Sequence, residues 1–237
     1  MFAKLNAWQF FLEREVNMKQ KPGWVLPDLK EAQKRTTNTI DRVDTFTIPE
    51  AARMMGRGKK NFISTYGCQA NERDSETIAG ILDECGFTPN EMAEGSDVII
   101  INTCAIRQNA EEKVLGEIGN FKRLYRENKE LVIGVCGCMA QEEGLVETLL
   151  TKYPQVRLLF GTHNIQDLPG MLYSCMFEGK KVVKIYSKEG EVYENLPVHR
   201  FGTFKAWVNI MYGCDKFCTY CICLLYTSPS PRDMRRS

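Results

Sequence analysis

The sequence predicts an α/β fold in which a parallel sheet carries helices on both faces. Two observations carry this. From residue 61 to about 177, strand-sized apolar runs alternate with amphipathic helical stretches in the order βαβαβαβα. The apolar runs are also short. The longest clean one, Val98-Ile99-Ile100-Ile101, suits a buried strand and falls far below the roughly 18 residues of a membrane span.

The elements follow in order. Residues 1–59 read as an extension, with Pro22, Pro27 and Pro49, many charges, and room for two short helices at 8–16 and 49–55. Residues 61–66 read as a strand ended by Gly67. Residues 73–85 place Ile78, Leu82 and Cys85 on one helical face, with Gly86 as the stop. A buried strand is predicted at 97–102. A helix follows at 107–127, where Val114, Leu115, Ile118, Phe121, Leu124 and Tyr125 recur at three/four spacing. Then come a strand at 131–135, a helix at 142–152, a strand at 156–160 and a helix near 165–177. An edge strand at 181–186 completes a unit drawn as 60–195. A second unit is drawn at 200–223, opening with an alternating strand at 205–211. From Leu224 to Ser237 no core pattern is visible, and Pro229 and Pro231 mark a tail.

The chain has 237 residues, 43% hydrophobic and 26% charged, with a formal net charge of +1. Such a composition excludes wholesale disorder, and it leaves nucleic-acid binding to local patches rather than a global basic field. Charges at Glu13 and Arg14 interrupt the first apolar stretch too early for a secretory signal, so the expected location is cytoplasmic, without membrane attachment.

In that reducing setting ten cysteines point to metal, cluster or redox chemistry rather than crosslinks. Cys68, Cys104 and Cys138 each follow a predicted strand. Loops after parallel strands emerge at one carboxyl edge, where open α/β sheets bind ligands, so the three thiols should converge there. Three thiolates without an obvious fourth ligand suit an iron–sulfur cluster with one open iron. Zinc would need a fourth ligand, for which His163 on the same edge is the candidate. Cys85 and Cys175 sit on apolar faces and read as core residues. Cys136 points into the sheet, although Cys136-Gly137-Cys138 could instead form a redox dithiol. The second constellation is Cys214-Asp215-Lys216-Phe217-Cys218-Thr219-Tyr220-Cys221, a C-x₃-C-x₂-C loop. Its three thiolates can each bind a different iron of a [4Fe–4S] cube and leave the fourth free for a substrate chelate.

With these residues the chain resembles the radical S-adenosylmethionine methylthiotransferases. The C-x₃-C-x₂-C loop is that superfamily's signature. Tyr66-Gly67-Cys68-Gln69-Ala70-Asn71, Asn102-Thr103-Cys104-Ala105-Ile106-Arg107 and Gly137-Cys138-Met139-Ala140-Gln141 resemble the three cysteine motifs of the family's amino-terminal domain. Gln69, Ala105-Ile106-Arg107 and Gly161-Thr162-His163-Asn164 are most similar to the branch acting on N6-dimethylallyladenosine in tRNA. The resemblance implies a Rossmann/flavodoxin-like methylthiotransferase domain, followed by only the first strand and cluster loop of a radical SAM (β/α) barrel. It also implies two [4Fe–4S] clusters. One, on Cys214, Cys218 and Cys221, would chelate S-adenosyl-L-methionine and yield a 5′-deoxyadenosyl radical that attacks C2 of the adenosine beside the anticodon. The other, on Cys68, Cys104 and Cys138, would hold the sulfur to be inserted and methylated. No side chain acts as acid or base in this scheme, and an electron donor and a sulfur source are needed as further partners. The family continues past its third loop cysteine into a full barrel. Here Cys223 stands where Val is usual, and the tail from Leu224 matches nothing, so the expectation is a truncated chain inactive alone. The alternative from another class is a non-catalytic iron–sulfur or zinc module that binds RNA or a protein.

Overall fold

The computed structural model describes residues 42–104, 108–141, 143–185 and 191–208. All of them fall within the unit Ile40–Tyr212. The expected helix at 8–16, the loop carrying Cys214, Cys218 and Cys221, and the tail lie outside the described residues. In chain order the elements are β1 (Arg42–Thr45), β2 (Lys60–Tyr66), α1 (Gln69–Glu84), β3 (Thr88–Pro89), β4 (Val98–Thr103), α2 (Gln108–Glu127), β5 (Val132–Gly137), α3 (Glu143–Lys152), β6 (Val156–Phe160), α4 (Leu168–Phe177), β7 (Val182–Lys184) and β8 (Glu191–Glu194).

Six strands form one sheet in the order β3-β2-β4-β5-β6-β7, parallel throughout. The chain steps from β2 to β3 on one side, then returns past β2 to β4. That reversal is the switch point of a doubly wound sheet, of the flavodoxin-like order with β7 added at an edge. β4 and β5 are buried along their whole length, as strands covered on both faces must be. Alternate residues serve opposite faces. Val98 and Ile100 join Ile78, Ile81 and Leu82 of α1 and Leu168 and Leu172 of α4 in one core. Ile99 and Ile101 join Val114 and Ile118 of α2 and Leu149 of α3 in the other. Each fully buried Ile or Leu contributes about 1.5–3 kcal/mol, so the two cores fix both the sheet and which helix covers which face.

Several expectations shift. Residues before 60 also pack into the unit. Ile48, Ala52 and Met55 are buried in the core under α1 and α4, and β1 pairs in parallel with β8. Those apolar residues lie on irregular backbone without a helical or strand period, so no pattern announced them. The expected helix at 49–55 is one 3-10 turn, Glu50–Ala52, closed by Met54 at φ 66°. α1 starts earlier than expected, because Cys68 itself caps it.

Residues 205–208 are not a strand. The segment from Leu196 to Val208 runs instead along α1, antiparallel to it. A Cβ on Gly80 would stand 2.5 Å from the Pro197 backbone, so the chain rests directly on that glycine. His199 Nδ1 pairs with Asp83 Oδ2 at 2.5 Å, and Arg200 Nη1 donates to Glu76 Oε2 at 2.5 Å. Lys205 Nζ and Trp207 Nε1 both donate to Glu72 Oε2, at 2.5 and 3.1 Å. Residues 205 and 207 alternate because both reach α1. Among the described residues, no helix is long and apolar enough to cross a membrane.

Candidate metal centre

Tyr66, Thr103 and Gly137 lie on one rung of the sheet, in the adjacent strands β2, β4 and β5. Cys68 follows that rung by two residues, and Cys104 and Cys138 follow it by one. Neighbouring strands are about 4.8 Å apart, so all three cysteines leave the carboxyl edge side by side. Cys68 and Cys104 flank the switch point, where α1 and α2 turn to opposite faces and open a crevice. The loops touch: a Cβ on Gly67 would stand 2.9 Å from Cys104 Cβ. Gly137, at φ 96°, rests so close to β4 that a Cβ there would lie 2.2 Å from the Thr103 carbonyl oxygen. Only glycine combines that φ with that approach.

All three thiols are free; Cys104 is buried, and Cys68 and Cys138 are half-buried. Burial, together with negative charge on Cys104 and Cys68, pushes the Cys138 thiol up to about 11. Such coupling needs proximity. It also means that three thiolates would repel one another here unless a cationic core offset them. Cys68 is the N-cap of α1. Its sulfur accepts the Asn71 backbone N–H, while Asn71 Oδ1 accepts the Cys68 N–H at 3.1 Å. Thr103 Oγ1, beside Cys104, is buried with no hydrogen-bond partner among the described residues.

Among the described residues, no three Cys, His, Asp or Glu side chains are gathered tightly enough to hold a single metal ion. Three thiols at one edge are the donor type of an iron–sulfur cluster. His163 is exposed, in the 3-10 turn Thr162–Asp167 after β6, and joins no such group. Cys136 faces the core under α1, and burial raises its thiol well above the ordinary range, which suits a bystander better than half of a redox pair. Cys85 and Cys175 are fully buried core residues. A cavity of about 440 Å³ opens beside the edge, lined by Thr65, Gly67, Glu72, Glu76, Phe201 and Trp207 among others.

Sequence reasoning passed over two groups. Asn71 and Asn102 stood within the quoted motifs, but their roles depend on bonds across about 30 positions. Asp74, on α1, is almost fully buried and its negative charge reaches Cys138; nothing in the sequence marks it.

This parallel α/β unit with its cysteine-bearing edge is of a known domain class: residues 60–161 match the model of a family described as uncharacterized protein family UPF0004. Full-length relatives are more specific. A protein of Geobacillus thermodenitrificans named tRNA-2-methylthio-N(6)-dimethylallyladenosine synthase is 54% identical over 209 residues, covering 88% of this chain and 40% of its own. A protein of Staphylococcus saprophyticus with the same name is 57% identical over 196 residues, 83% and 38% of the two chains. One from Bacillus licheniformis is 51% identical over 212 residues, 90% and 42%. The chain belongs to the family of these synthases, and spans about two fifths of the length of the curated relatives it matches.

Proposed function

We propose that this chain is the amino-terminal part of a tRNA methylthiotransferase, and that Cys68, Cys104 and Cys138 hold an iron–sulfur cluster. The observation that carries the reading is the shared rung: three strands end together and each delivers one cysteine to the same edge. The modification would be a methylthio group on C2 of N6-dimethylallyladenosine next to the anticodon, in the cytoplasm. Cys214, Cys218 and Cys221 would hold the second [4Fe–4S] cluster, the one that binds S-adenosyl-L-methionine. When bound, these groups supply radical chemistry and the sulfur that is inserted, fed by an electron donor and a sulfur source.

The chain's own residues have simpler tasks. The cap of α1 orients Cys68. Gly67 and Gly137 let the three loops approach without side chains between them. Burial of Cys104 and Cys136 keeps water from the inner side of the edge.

Anaerobic reconstitution of the 237-residue chain with iron and sulfide tests this. The wild type should take up iron with iron–sulfur absorption. Replacing Cys68, Cys104 and Cys138 together by Ala should remove about half of that iron, and replacing Cys214, Cys218 and Cys221 should remove the rest. One tightly bound zinc without iron–sulfur absorption would overturn the reading in favour of a non-catalytic module.

A further inference from the structure

We propose that Asn71 and Asn102 form a buried clasp that holds the three cysteine loops in register, with Asn71 the positioning residue for Cys68. The inference rests on the reading of Cys68, Cys104 and Cys138 as ligands, and it extends that reading to residues that bear no metal-binding atom.

The Asn71 amide is oriented by two backbone groups whose roles cannot be exchanged. Its Oδ1 accepts the Cys68 N–H at 3.1 Å, and its Nδ2 donates to the Thr103 carbonyl at 3.2 Å. One side chain therefore ties the first cysteine to the residue preceding the second. The Cys68 thiol also lies against Oδ1, at 3.4 Å. Asn71 Nδ2 donates further to Asn102 Oδ1 at 3.1 Å. Asn102 Nδ2 donates to the Asn71 carbonyl at 2.8 Å and to Ser75 Oγ at 3.0 Å. Ser75 Oγ in turn lies 2.7 Å from Thr65 Oγ1 on β2.

The third loop leans on the same pair. A Cβ on Gly137 would stand 2.6 Å from Asn102 Oδ1, so the backbone before Cys138 is seated on that amide. Gly67 is seated likewise on Asn71 Oδ1, at 2.3 Å. Asn71 and Asn102 are 1% and 0% exposed. In so dry a place a lost partner is not replaced by water, and the cost falls on the loops that the network joins. An asparagine pair serving the core alone would have no reason to bond Cys68 and the Thr103 carbonyl before Cys104 while its other amide packs against the Gly137 backbone before Cys138.

Asn71→Asp separates positioning from packing. It is isosteric and still accepts the Cys68 N–H, but it sets an oxygen against the Thr103 carbonyl and Asn102 Oδ1. In the reduced, metal-free 237-residue chain, dibromobimane joins neighbouring thiols, and peptide mapping identifies the pairs. The wild type should link Cys68 to Cys104 or Cys138. Asn71→Asp should lower that yield by about tenfold while far-ultraviolet circular dichroism stays unchanged. The second readout is the reconstituted chain with Cys214, Cys218 and Cys221 replaced by Ala. There Asn71→Asp should speed iron loss to a chelator by about 10- to 100-fold and alter the electron paramagnetic resonance signal of the reduced cluster. Equal crosslinking in a folded variant, or equal iron retention with an unaltered signal, overturns the clasp. If Asn71→Asp does not fold, Asn102→Asp decides by the same measurements, since it keeps the acceptor for Asn71 Nδ2 and loses only its own two donations. A wild type that takes up no iron sinks the cofactor reading, while the crosslinking still judges the clasp.

Discussion

Asp74 shows how one side chain records its surroundings. Burial pushes its carboxyl up to about 6, against the pull of the adjoining Arg73 guanidinium. In the unfolded chain an aspartate titrates near 3.9. Between about pH 4 and pH 6 the native protein keeps a proton that the unfolded chain releases. Stability therefore falls as pH rises through that window and stays lower above it, by about 2–3 kcal/mol. Asp74→Asn should accordingly stabilise the metal-free chain by about 2 kcal/mol at pH 7.5 and leave it unchanged at pH 4, as read by denaturant unfolding at both pH values. The placement of Cys68, Cys104 and Cys138 after neighbouring strands was legible because a parallel sheet turns sequence order into a shared edge. Asp74 was not, because a carboxylate on a polar helix stretch normally faces water. Asn71 and Asn102 could be read as letters of a motif but not as partners of one another.

At the scale of elements, α1 explains why Asp74 is buried. From Asp74 to Leu82 every residue of this helix is buried, although its apolar residues occupy one face. The sheet covers that face, and the segment 196–208 covers the opposite one, where Glu72, Glu76, Gly80 and Asp83 form a stripe. Exposed ion pairs such as Lys205–Glu72 add little. Arg200–Glu76 matters more, since Glu76 is buried and would otherwise lack its counter-charge. Backbone contact at Gly80 is the other determinant. Gly80→Ala should lift the segment. Hydrogen exchange of the His199 amide, which donates to the Glu76 carbonyl at 2.9 Å, and tryptic cleavage after Arg200 and Lys205 should both rise on the order of tenfold. The long helices and central strands were legible from their periods, with boundaries within a few residues. The segment along α1 was misread as a strand because side chains reaching a common helix imitate the alternation of a sheet. β3 and β8 escaped notice because two and four residues make no pattern without their partners.

For the whole molecule, the sheet order depends on the return past β2 that creates the switch point, which no local pattern announces. The extent of the unit is a matter of burial. Ile48, Ala52 and Met55 lie over α1 and α4, so a chain beginning at Lys60 should lose roughly 4 kcal/mol of stability through exposed apolar surface. A chain beginning at Ile40 should unfold at the same denaturant midpoint as the 237-residue protein. Equal midpoints for all three would return 42–59 to the status of a leader. The pairing of β1 with β8 adds a mechanical consequence. The two strands run the same way, so tension applied through residue 41 and through residue 195 drags them past each other along their axes. All the ribbon's bonds then share the load and must shear together, where an antiparallel hairpin would unzip one rung at a time. A motor reeling in either tail would meet resistance at this small ribbon before it could open the large sheet.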